Sequence, residues 1–386
     1  MPRRELVPVV SGSFGAHPSP GGEDGAGRQP RWRGHFLRRA DRSCGWRRLL
    51  SAYRQGYLPQ SLELYPLTEA TRHAYLTDRD RVVTLSRVNG PGAAALHDRW
   101  VFHQVLAAFQ EHLPRLLGVL YRGEFRPEPA SGLATLADVL DRQVESRHEA
   151  GLVIEPVGRS DRRDVQILQP LAGSGGDVWE VNGRPVSRRD LAEHLAAARA
   201  HDGKVVSERV RAASYARDLY PYTTNTVRAL MLRDATSRQP SLVAAVQRVG
   251  VSVSRPTDEF TAGGLSAPID LRTGELGSAL QKLRAEPLVR HEAHPETGVM
   301  IRGSQVPGWQ GLEAGLGAMM SHLPFLVYVG WDVVVTEDGF KVIGADAQPE
   351  IDLLQVHAPL LAEASMRLFC EARGVQLGRP AGAGAA

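Results

Sequence analysis

The sequence contains little cysteine and almost no lysine. Cys44 and Cys370 are the only cysteines in 386 residues, which excludes a disulfide framework and makes a reducing cytoplasm the expected location. Three of the 46 basic residues are lysine, so 43 are arginine. Contacts to phosphate or carboxylate that other proteins make with lysine must therefore be made by arginine, which binds such groups in bidentate fashion and keeps its proton.

The sequence also lacks a long apolar run and a strong charge of one sign. Its longest apolar stretch, Phe325–Val335, is interrupted by Asp332 and is far shorter than the roughly 20 residues of a membrane-spanning helix. The net charge of +3 is too small to indicate a nucleic-acid partner. Hydrophobic and charged contents of 42% and 23% are typical of a soluble globular protein. We therefore expect neither a membrane span nor a nucleic-acid complex; nothing in the composition indicates the oligomeric state.

Composition divides the chain into five segments. Residues 1–48 hold ten arginines among many glycines, prolines and serines, so we expect a disordered basic leader. Binding of RNA or of a membrane by this arm is the alternative. Residues 49–93 have a helical and irregular pattern, a first lobe is predicted over 94–203, and a hinge with a second lobe over 204–373. Residues 374–386 are expected to form a disordered tail.

Strand and helix patterns alternate along the two predicted lobes, which indicates an α+β fold. A long helix is predicted over Ala94–Leu117 from the spacing of its apolar residues. The pair Asn182-Gly183 follows a short strand and is a strong hairpin signal. Ser187 is placed to cap a helix that continues to Ala200.

The most informative segment, Trp331–Gln355, predicts a β-hairpin. Val333–Val335 forms one strand, Phe340–Ala345 the other, and the intervening Glu337-Asp338-Gly339 supplies the turn. With the hairpin centred near Asp338, Asp332 at the start of the first strand lies opposite Gly344 of the second strand.

Two acidic side chains then share one face of this hairpin. Asp332 pairs with Gly344, and Asp346 lies on the same face because side chains alternate with a period of two. Diagonal neighbours are roughly 7–8 Å apart, a separation at which two carboxylates can hold a hard divalent cation. The alternative is an ordinary hairpin with solvated acids.

The order of motifs around the hairpin resembles the sugar-transfer-associated branch of the ATP-grasp superfamily, from about Tyr57 to Phe369. The motifs that carry the resemblance are Asn225-Thr226-Val227-Arg228, Arg248-Val249-Gly250, Gly330-Trp331-Asp332, Thr336-Glu337-Asp338-Gly339 and Gly344-Ala345-Asp346. The last motif departs from the family's Glu-x-Asn, since Gly344 replaces the glutamate and Asp346 the asparagine.

This resemblance implies an α+β ATP-grasp fold, in which two α/β lobes grip nucleotide and a helical region precedes them. It implies ATP and Mg²⁺ as cofactors. The implied reaction is ATP-dependent ligation of a small-molecule carboxylate to an amine or thiol through an acyl-phosphate, in natural-product or cell-surface polysaccharide biosynthesis. Two alternatives are a degenerate domain that binds a ligand or partner without turnover, and a phosphotransferase that acts on a hydroxyl.

The resemblance also assigns site residues. Arg228 and Arg248 would be catalytic, clamping the phosphate and the developing acyl-phosphate, and Asp332 and Asp346 would hold the metal. The alternative for the two arginines is a pair of structural salt bridges.

Three further residues would contact nucleotide. Arg99 matches a family lysine that touches phosphate, and Glu208 matches a carboxylate at the strand that leads into the adenine hinge. Glu155 stands where the family has a lysine, so it either weakens nucleotide binding or orients an arginine. The candidate partners of Glu155 are Arg99 and the arginines of the following loop, Arg159, Arg162 and Arg163.

Overall fold

The computed structural model describes residues 32–145, 151–158, 165–197, 203–284, 286–375 and 377. The helices in this part of the chain are α1 Trp32–Arg39, α2 Trp46–Gln55, α3 Ser61–Leu64, α4 Asp78–Val83, α5 Ala94–His97, α6 Arg99–Val105, α7 Leu136–Glu145, α8 Arg188–Ala197, α9 Ser214–Leu219, α10 Trp309–His322, α11 Asp352–Gln355 and α12 Ala364–Glu371. None of these described helices has the length and apolar character needed to cross a membrane.

Fourteen strands occur in the same described ranges. They are β1 Leu116–Tyr121, β2 Glu124–Pro127, β3 Leu152–Pro156, β4 Gln166–Pro170, β5 Val178–Val181, β6 Arg184–Ser187, β7 Lys204–Glu208, β8 Val227–Arg233, β9 Pro240–Val249, β10 Leu265–Pro268, β11 Ala279–Gln281, β12 Val289–His291, β13 Tyr328–Thr336 and β14 Gly339–Asp346.

These strands form two antiparallel sheets, each with helices packed against it. The first sheet has the order β2-β1-β7-β3-β4-β5-β6, and the second has the order β12-β11-β10-β9-β8-β13-β14. Leu140 of α7 and Leu191 of α8 are buried against the first sheet, and Leu316 of α10 is buried against the second. The two sheets with their covering helices agree with the predicted α+β class.

The boundary between the two units differs from the prediction. β7 was assigned to the second lobe, but it lies in the middle of the first sheet, paired with β1 and β3. The chain therefore crosses to the second sheet after Glu208. The region from α5 to Leu113 was assigned to the first lobe, yet Leu96, Phe102 and Leu106 belong to the core of the second.

The predicted helix over Ala94–Leu117 is wrong as a single element. Asp98 has extended backbone angles (φ −100°, ψ 114°), and its Oδ1 accepts a hydrogen bond from Val101 N at 2.9 Å. This contact caps α6, because a short acidic side chain satisfies a backbone N–H that has no partner within the helix. The helical stretch is therefore divided, and the strand β1 already begins at Leu116.

Two local predictions in the first sheet are confirmed. Asn182 and Gly183 both have positive φ, 50° and 80°, as a tight two-residue hairpin turn requires, and they join β5 to β6. Ser187 Oγ accepts a hydrogen bond from Asp190 N at 3.1 Å and so caps α8. The described part of α8 ends at Ala197.

The β13–β14 hairpin is confirmed, together with the pairing of Asp332 and Gly344. The turn is shorter than predicted, since Thr336 pairs with Gly339. Ile343 is then an extra residue on β14, because Val333 pairs with Val342 while Asp332 pairs with Gly344. This β-bulge restores the predicted opposition. Asp346 pairs with Gly330, two residues from Asp332, so the register places both acids on one face.

Ordered structure begins earlier than residue 49. The predicted leader of residues 1–48 includes α1, and residues 1–31 lie outside the described part of the chain. Trp32 and Phe36 of α1 are buried with Ala52 and Leu58. Residues 32–48 are therefore folded, since aromatic side chains among the arginines supply a small apolar core. In the predicted tail, residues 374, 375 and 377 are described and the others are not.

The N-terminal helical region is fixed to the C-terminal segment by buried polar contacts. Gln355 Oε1 accepts from Leu76 N at 2.8 Å, and its Nε2 donates to Leu76 O at 3.0 Å. Tyr65 Oη donates to Asp352 Oδ1 at 2.7 Å. Burial and, secondarily, the neighbouring Asp78 carboxylate raise the pKa of Asp352 from its ordinary 3.8 to about 6. The ionised form of Asp352 is thus disfavoured in the folded state.

The raised pKa predicts a pH-dependent contribution of Asp352 to stability. Between about pH 3.8 and about pH 6, the Asp352 carboxyl is protonated more often in the folded protein than in the unfolded chain. The resulting stabilisation of the folded state is complete below this pH range and is lost as the pH rises through it. Wild type should gain thermal stability over Asp352→Asn as the pH falls from 7 to 4. Calorimetric Tm values of the two proteins across this range test the prediction, and a constant difference would contradict it.

Candidate functional site

Asp332 lies between two buried arginines on neighbouring strands. Arg228 of β8 faces it directly in the register, with Nε 3.0 Å from Oδ1 and Nη2 donating to Oδ2 at 3.1 Å. Arg248 of β9 places Nη2 3.1 Å from the same Oδ1. The Arg228 side chain is 2% exposed and that of Asp332 15%. All three residues were predicted to belong to the site, and the structure brings them into one cluster.

Arg248 has a second set of partners that sequence analysis did not place in the site. Its Nη2 lies 3.5 Å from Asp258 Oδ1, and its Nε donates to Thr226 Oγ1 at 2.8 Å. Asp258 Oδ2 in turn accepts from the backbone N and the hydroxyl of Thr226, at 2.6 and 2.8 Å. The signal was present in the Asn-Thr-x-Arg motif, whose threonine fixes the guanidinium of the next strand.

Two glycines leave room for guanidinium groups on this face. A Cβ atom at Gly330 would lie 2.8 Å from Arg228 Nη1 and 2.6 Å from Pro349 Cβ. A Cβ atom at Gly344 would lie 2.6 Å from Arg99 Nη1. The residue that replaces the family's glutamate therefore makes space for an arginine from another part of the chain.

Arg99 connects the two sheets. Its Nε lies 3.1 Å from Glu155 Oε2 at the end of β3, and its Nη1 donates to Ile343 O in β14 at 3.1 Å. Its backbone N also donates to Val157 O at 2.7 Å. The prediction that Glu155 orients an arginine is consistent with this contact, and that arginine is Arg99. Arg159, Arg162 and Arg163 lie outside the described residues.

Glu155 is close enough to the second sheet for its charge to be affected by Asp332. Burial is the main cause that raises the pKa of the Glu155 carboxyl; Arg99 opposes this effect and Asp332 adds to it. Carboxylates from both sheets therefore contribute to one electrostatic site. It contains three guanidinium groups and three carboxyl groups, those of Arg99, Arg228, Arg248, Glu155, Asp258 and Asp332.

The two predicted metal ligands, Asp332 and Asp346, have different surroundings. Asp346 Oδ1 accepts from Gln348 N at 2.8 Å and lies 4.0 Å from His97 Nε2. Both oxygens of Asp332 face guanidinium groups. Within the described ranges no three His, Cys, Asp or Glu side chains are grouped as metal ligands. As arranged, this donor set does not fit a divalent cation, because guanidinium groups occupy the carboxylate that would bind it; the metal assignment stays a prediction.

Glu208 stands where the chain leaves the first sheet. Its Oε1 lies 3.3 Å from Arg115 Nη1, so the carboxylate is held at the outer end of β7. A pocket of about 280 Å³ follows along the crossing segment, lined in part by Gln169, Arg209, Ala212, Thr223 and Thr224. The position is consistent with the predicted hinge, since residues of the crossing segment line the pocket. Nucleotide contact by Glu208 stays a prediction.

Comparison with known proteins identifies the sequence pattern. Residues 86–364 match the family described as sugar-transfer associated ATP-grasp. No curated protein shows significant similarity to the chain.

The solved structures that the chain resembles include a synthetase and two ligases. The ADP complex of purK, an N5-carboxyaminoimidazole ribonucleotide synthetase, is 10% identical, with a TM-score of 0.35 over 67% of this chain and 46% of that one. D-alanine–D-alanine ligase from Bacillus anthracis with ATP is 12% identical (TM-score 0.33, 66% and 55%). VanG D-Ala:D-Ser ligase from Enterococcus faecalis is 10% identical (TM-score 0.38, 72% and 63%). The chain thus spans about half to just under two thirds of their lengths.

Proposed function

Because the chain belongs to the sugar-transfer associated ATP-grasp family, we propose that it is an ATP-dependent ligase whose nucleotide site lies between the two sheets. The adenine end would occupy the pocket along the crossing segment after Glu208. The phosphate end would face Arg228 and Arg248. Substrates would be a small-molecule carboxylate and an amine or thiol; the biosynthetic pathway stays a prediction.

One observation carries this proposal, the convergence of three guanidinium groups from three separate elements. Arg99 comes from α6, Arg228 from β8 and Arg248 from β9, and each is paired with a carboxylate that fixes its orientation. A guanidinium has five N–H donors in a planar fork that matches phosphate oxygens, and a carboxylate uses only some of them. A pre-oriented cluster of this kind is suited to a polyphosphate.

The proposed reaction proceeds through an acyl-phosphate. A substrate carboxylate oxygen attacks the γ-phosphorus, the bond to the β,γ-bridging oxygen breaks, and ADP leaves. The amine or thiol then attacks the acyl carbon of the acyl-phosphate and expels phosphate. Arg228 and Arg248 would stabilise the negative charge on the transferred group, so the chain contributes positioning and electrostatics rather than a covalent nucleophile.

In this proposal arginines supply the positive charge near the phosphates. Mg²⁺ would neutralise phosphate charge when bound, and Asp332 and Asp346 are its predicted ligands. The fork of Arg228 on Asp332 does not fit that role, so no step is assigned to a metal. Arg99, at the position of a family lysine, would supply this charge together with Arg228 and Arg248.

Trapping of the acyl-phosphate tests the reaction class. The protein is incubated with ATP, hydroxylamine and a panel of amino and sugar acids, and both ADP and hydroxamate are measured. Hydroxamate that appears with ADP and depends on one acid supports the ligase. A phosphorylated alcohol without hydroxamate would instead indicate the phosphotransferase. Saturable ATP binding without ADP release would indicate the degenerate domain, which the replacement of the family's glutamate by Gly344 favours as the second candidate.

Gly344→Ala should weaken ATP binding with little change in stability. The new Cβ would lie 2.6 Å from Arg99 Nη1, the far end of a flexible side chain, so the guanidinium moves and the fold does not. We expect a loss of affinity of roughly tenfold, as for one charged hydrogen bond of about 1.5–3 kcal/mol. Gly317→Ala in α10, where a Cβ has nothing within 4 Å, is the matched control. Equal ATP affinity of Gly344→Ala and Gly317→Ala would show that Arg99 is not part of the nucleotide site.

A further inference from the structure

The positive charge of the chain is concentrated in its first two helices. Residues 32–55 contain seven arginines and one aspartate, a net charge of +6, while the whole chain has +3. The remaining residues therefore sum to −3. The arginines belong to the folded part of the protein, because α1 and α2 are ordered and pack on a small core of their own.

Helix α2 exposes part of its apolar stripe beside these charges. Ala52 is buried, and Leu49 and Tyr53 pack next to it on the inward face. Trp46 and Leu50, one turn apart on an adjoining face, are 69% and 41% exposed. The helix therefore has apolar side chains on its buried face and also on an adjoining face that is exposed.

Arginines border this exposed apolar strip. The Arg47 guanidinium lies 5.4 Å from the Trp46 ring centroid, and Arg54 continues the row one turn after Leu50. Leu37 of α1 is a further exposed apolar side chain, 50% accessible, and α1 also carries exposed Arg33, Arg38 and Arg39. Aromatic contacts between Phe36 and Tyr53, with ring centroids 5.2 Å apart, join the two helices into one unit.

We propose that the α1–α2 unit docks on an anionic lipid surface. Exposed tryptophan and leucine enter the boundary between headgroups and acyl chains, while arginines extend their charged ends to the phosphates above. The concentration of +6 on 24 residues is complementary to such a surface, which attracts basic segments. The remaining residues sum to −3, so the attraction is confined to this unit.

The apolar strip distinguishes lipid from nucleic acid as the partner. A site for nucleic acid needs cations that follow the phosphates and flat ring faces that stack on bases. Exposed Trp46 and Leu50 on the basic helix α2, with Leu37 of α1, instead give the amphipathic pattern of an interfacial surface. The proposal does not depend on the nucleotide site, because α1 and α2 pack on a small core of their own.

Co-sedimentation of the full chain with vesicles tests this surface. The probes are vesicles of phosphatidylcholine with phosphatidylglycerol, vesicles of phosphatidylcholine alone, and a single-stranded RNA of mixed sequence. The variants are Arg47→Gln with Arg54→Gln, and Trp46→Ser with Leu50→Ser. The matched controls are Arg122→Gln with Arg184→Gln, and Met300→Ser with Leu368→Ser, at positions that are also exposed but lie elsewhere on the protein.

We expect binding to the anionic vesicles only, with loss of most of it near 1 M salt, where the Debye length is about 3 Å. The arginine pair should lower the vesicle affinity roughly tenfold or more, and the Trp46/Leu50 pair should do the same, while the control pairs and the ATP affinity stay unchanged. Far-UV circular dichroism confirms that the variants fold. Absence of vesicle binding, equal effects of the control pairs, or RNA binding that depends on the arginines and not on Trp46 and Leu50 would each overturn the proposal.

Discussion

Asp332→Ala should lower the free energy of unfolding by about 3–5 kcal/mol. The change leaves Arg228 and Arg248 as buried guanidinium groups without the carboxylate that faces both of them, and removal of one partner from a buried ion pair has a cost of this size. Urea unfolding in the presence of a chelator measures the effect apart from any metal. If Asp332 is only a metal ligand, the substitution should change the free energy of unfolding little under these conditions, since an unused metal ligand contributes little to the stability of the metal-free protein.

Asp346→Ala is the control for that measurement. Asp346 is an acid on the same hairpin face; it accepts a hydrogen bond from Gln348 N at 2.8 Å and lies 4.0 Å from His97 Nε2. We expect a smaller loss than for Asp332→Ala, since a hydrogen bond contributes about 1 kcal/mol and Asp346 is less buried in guanidinium contacts than Asp332. Equal destabilisation by the two substitutions would mean that the arginine fork does not hold this face together.

Glu155→Ala should weaken ATP binding, although it removes a negative charge from the neighbourhood of a triphosphate. Glu155 fixes the Arg99 guanidinium at 3.1 Å, and without it the side chain loses its orientation toward the second sheet. The expected loss is roughly tenfold, which corresponds to about 1.4 kcal/mol. If Glu155 only repels phosphate, the same substitution tightens binding. Calorimetric titration of ATP into wild type and variant separates the two cases by the sign of the change.

The double variant shows whether Glu155 acts through Arg99. In an Arg99→Ala background the orienting role is absent, so only the electrostatic repulsion by Glu155 remains. Glu155→Ala should then tighten ATP binding slightly instead of weakening it. An effect of Glu155→Ala that is the same in both backgrounds would show that the two residues act independently.

Local patterns predicted the hairpin and its charged residues well. Asp332 could be selected from strand alternation and turn chemistry, which are local, whereas Arg228 and Arg248 were selected from the resemblance to the family's motifs. The register places all three on one face. The opposition of Asp332 and Gly344 was obtained from a symmetric turn, whereas the structure produces it by a tighter turn and a bulge at Ile343. A β-bulge has no clear sequence signal. The predicted pairing of Asp332 with Gly344 was therefore correct, although the turn geometry from which it was predicted was not.

Long-range arrangement was predicted less well. The pairing of β7 between β1 and β3 and the packing of α1 on Ala52 and Leu58 depend on partners outside the local segment. The contact of Arg99 with Ile343 joins residues 244 positions apart, and only the absent side chain at Gly344 makes it possible. No local motif indicates that Arg99 fills the space beside Gly344, so the predicted metal site did not include this arginine.

A titration of ATP into the full-length protein, once with excess chelator and once with Mg²⁺, is the most direct test of the arginine-based nucleotide site. We predict saturable one-site binding in both titrations, with at least a roughly tenfold loss in Arg228→Gln when each charged hydrogen bond contributes about 1.5–3 kcal/mol. Binding that requires Mg²⁺ and disappears in Asp346→Ala would contradict the account, because the predicted metal pair, and not the three arginines, would then hold the phosphates.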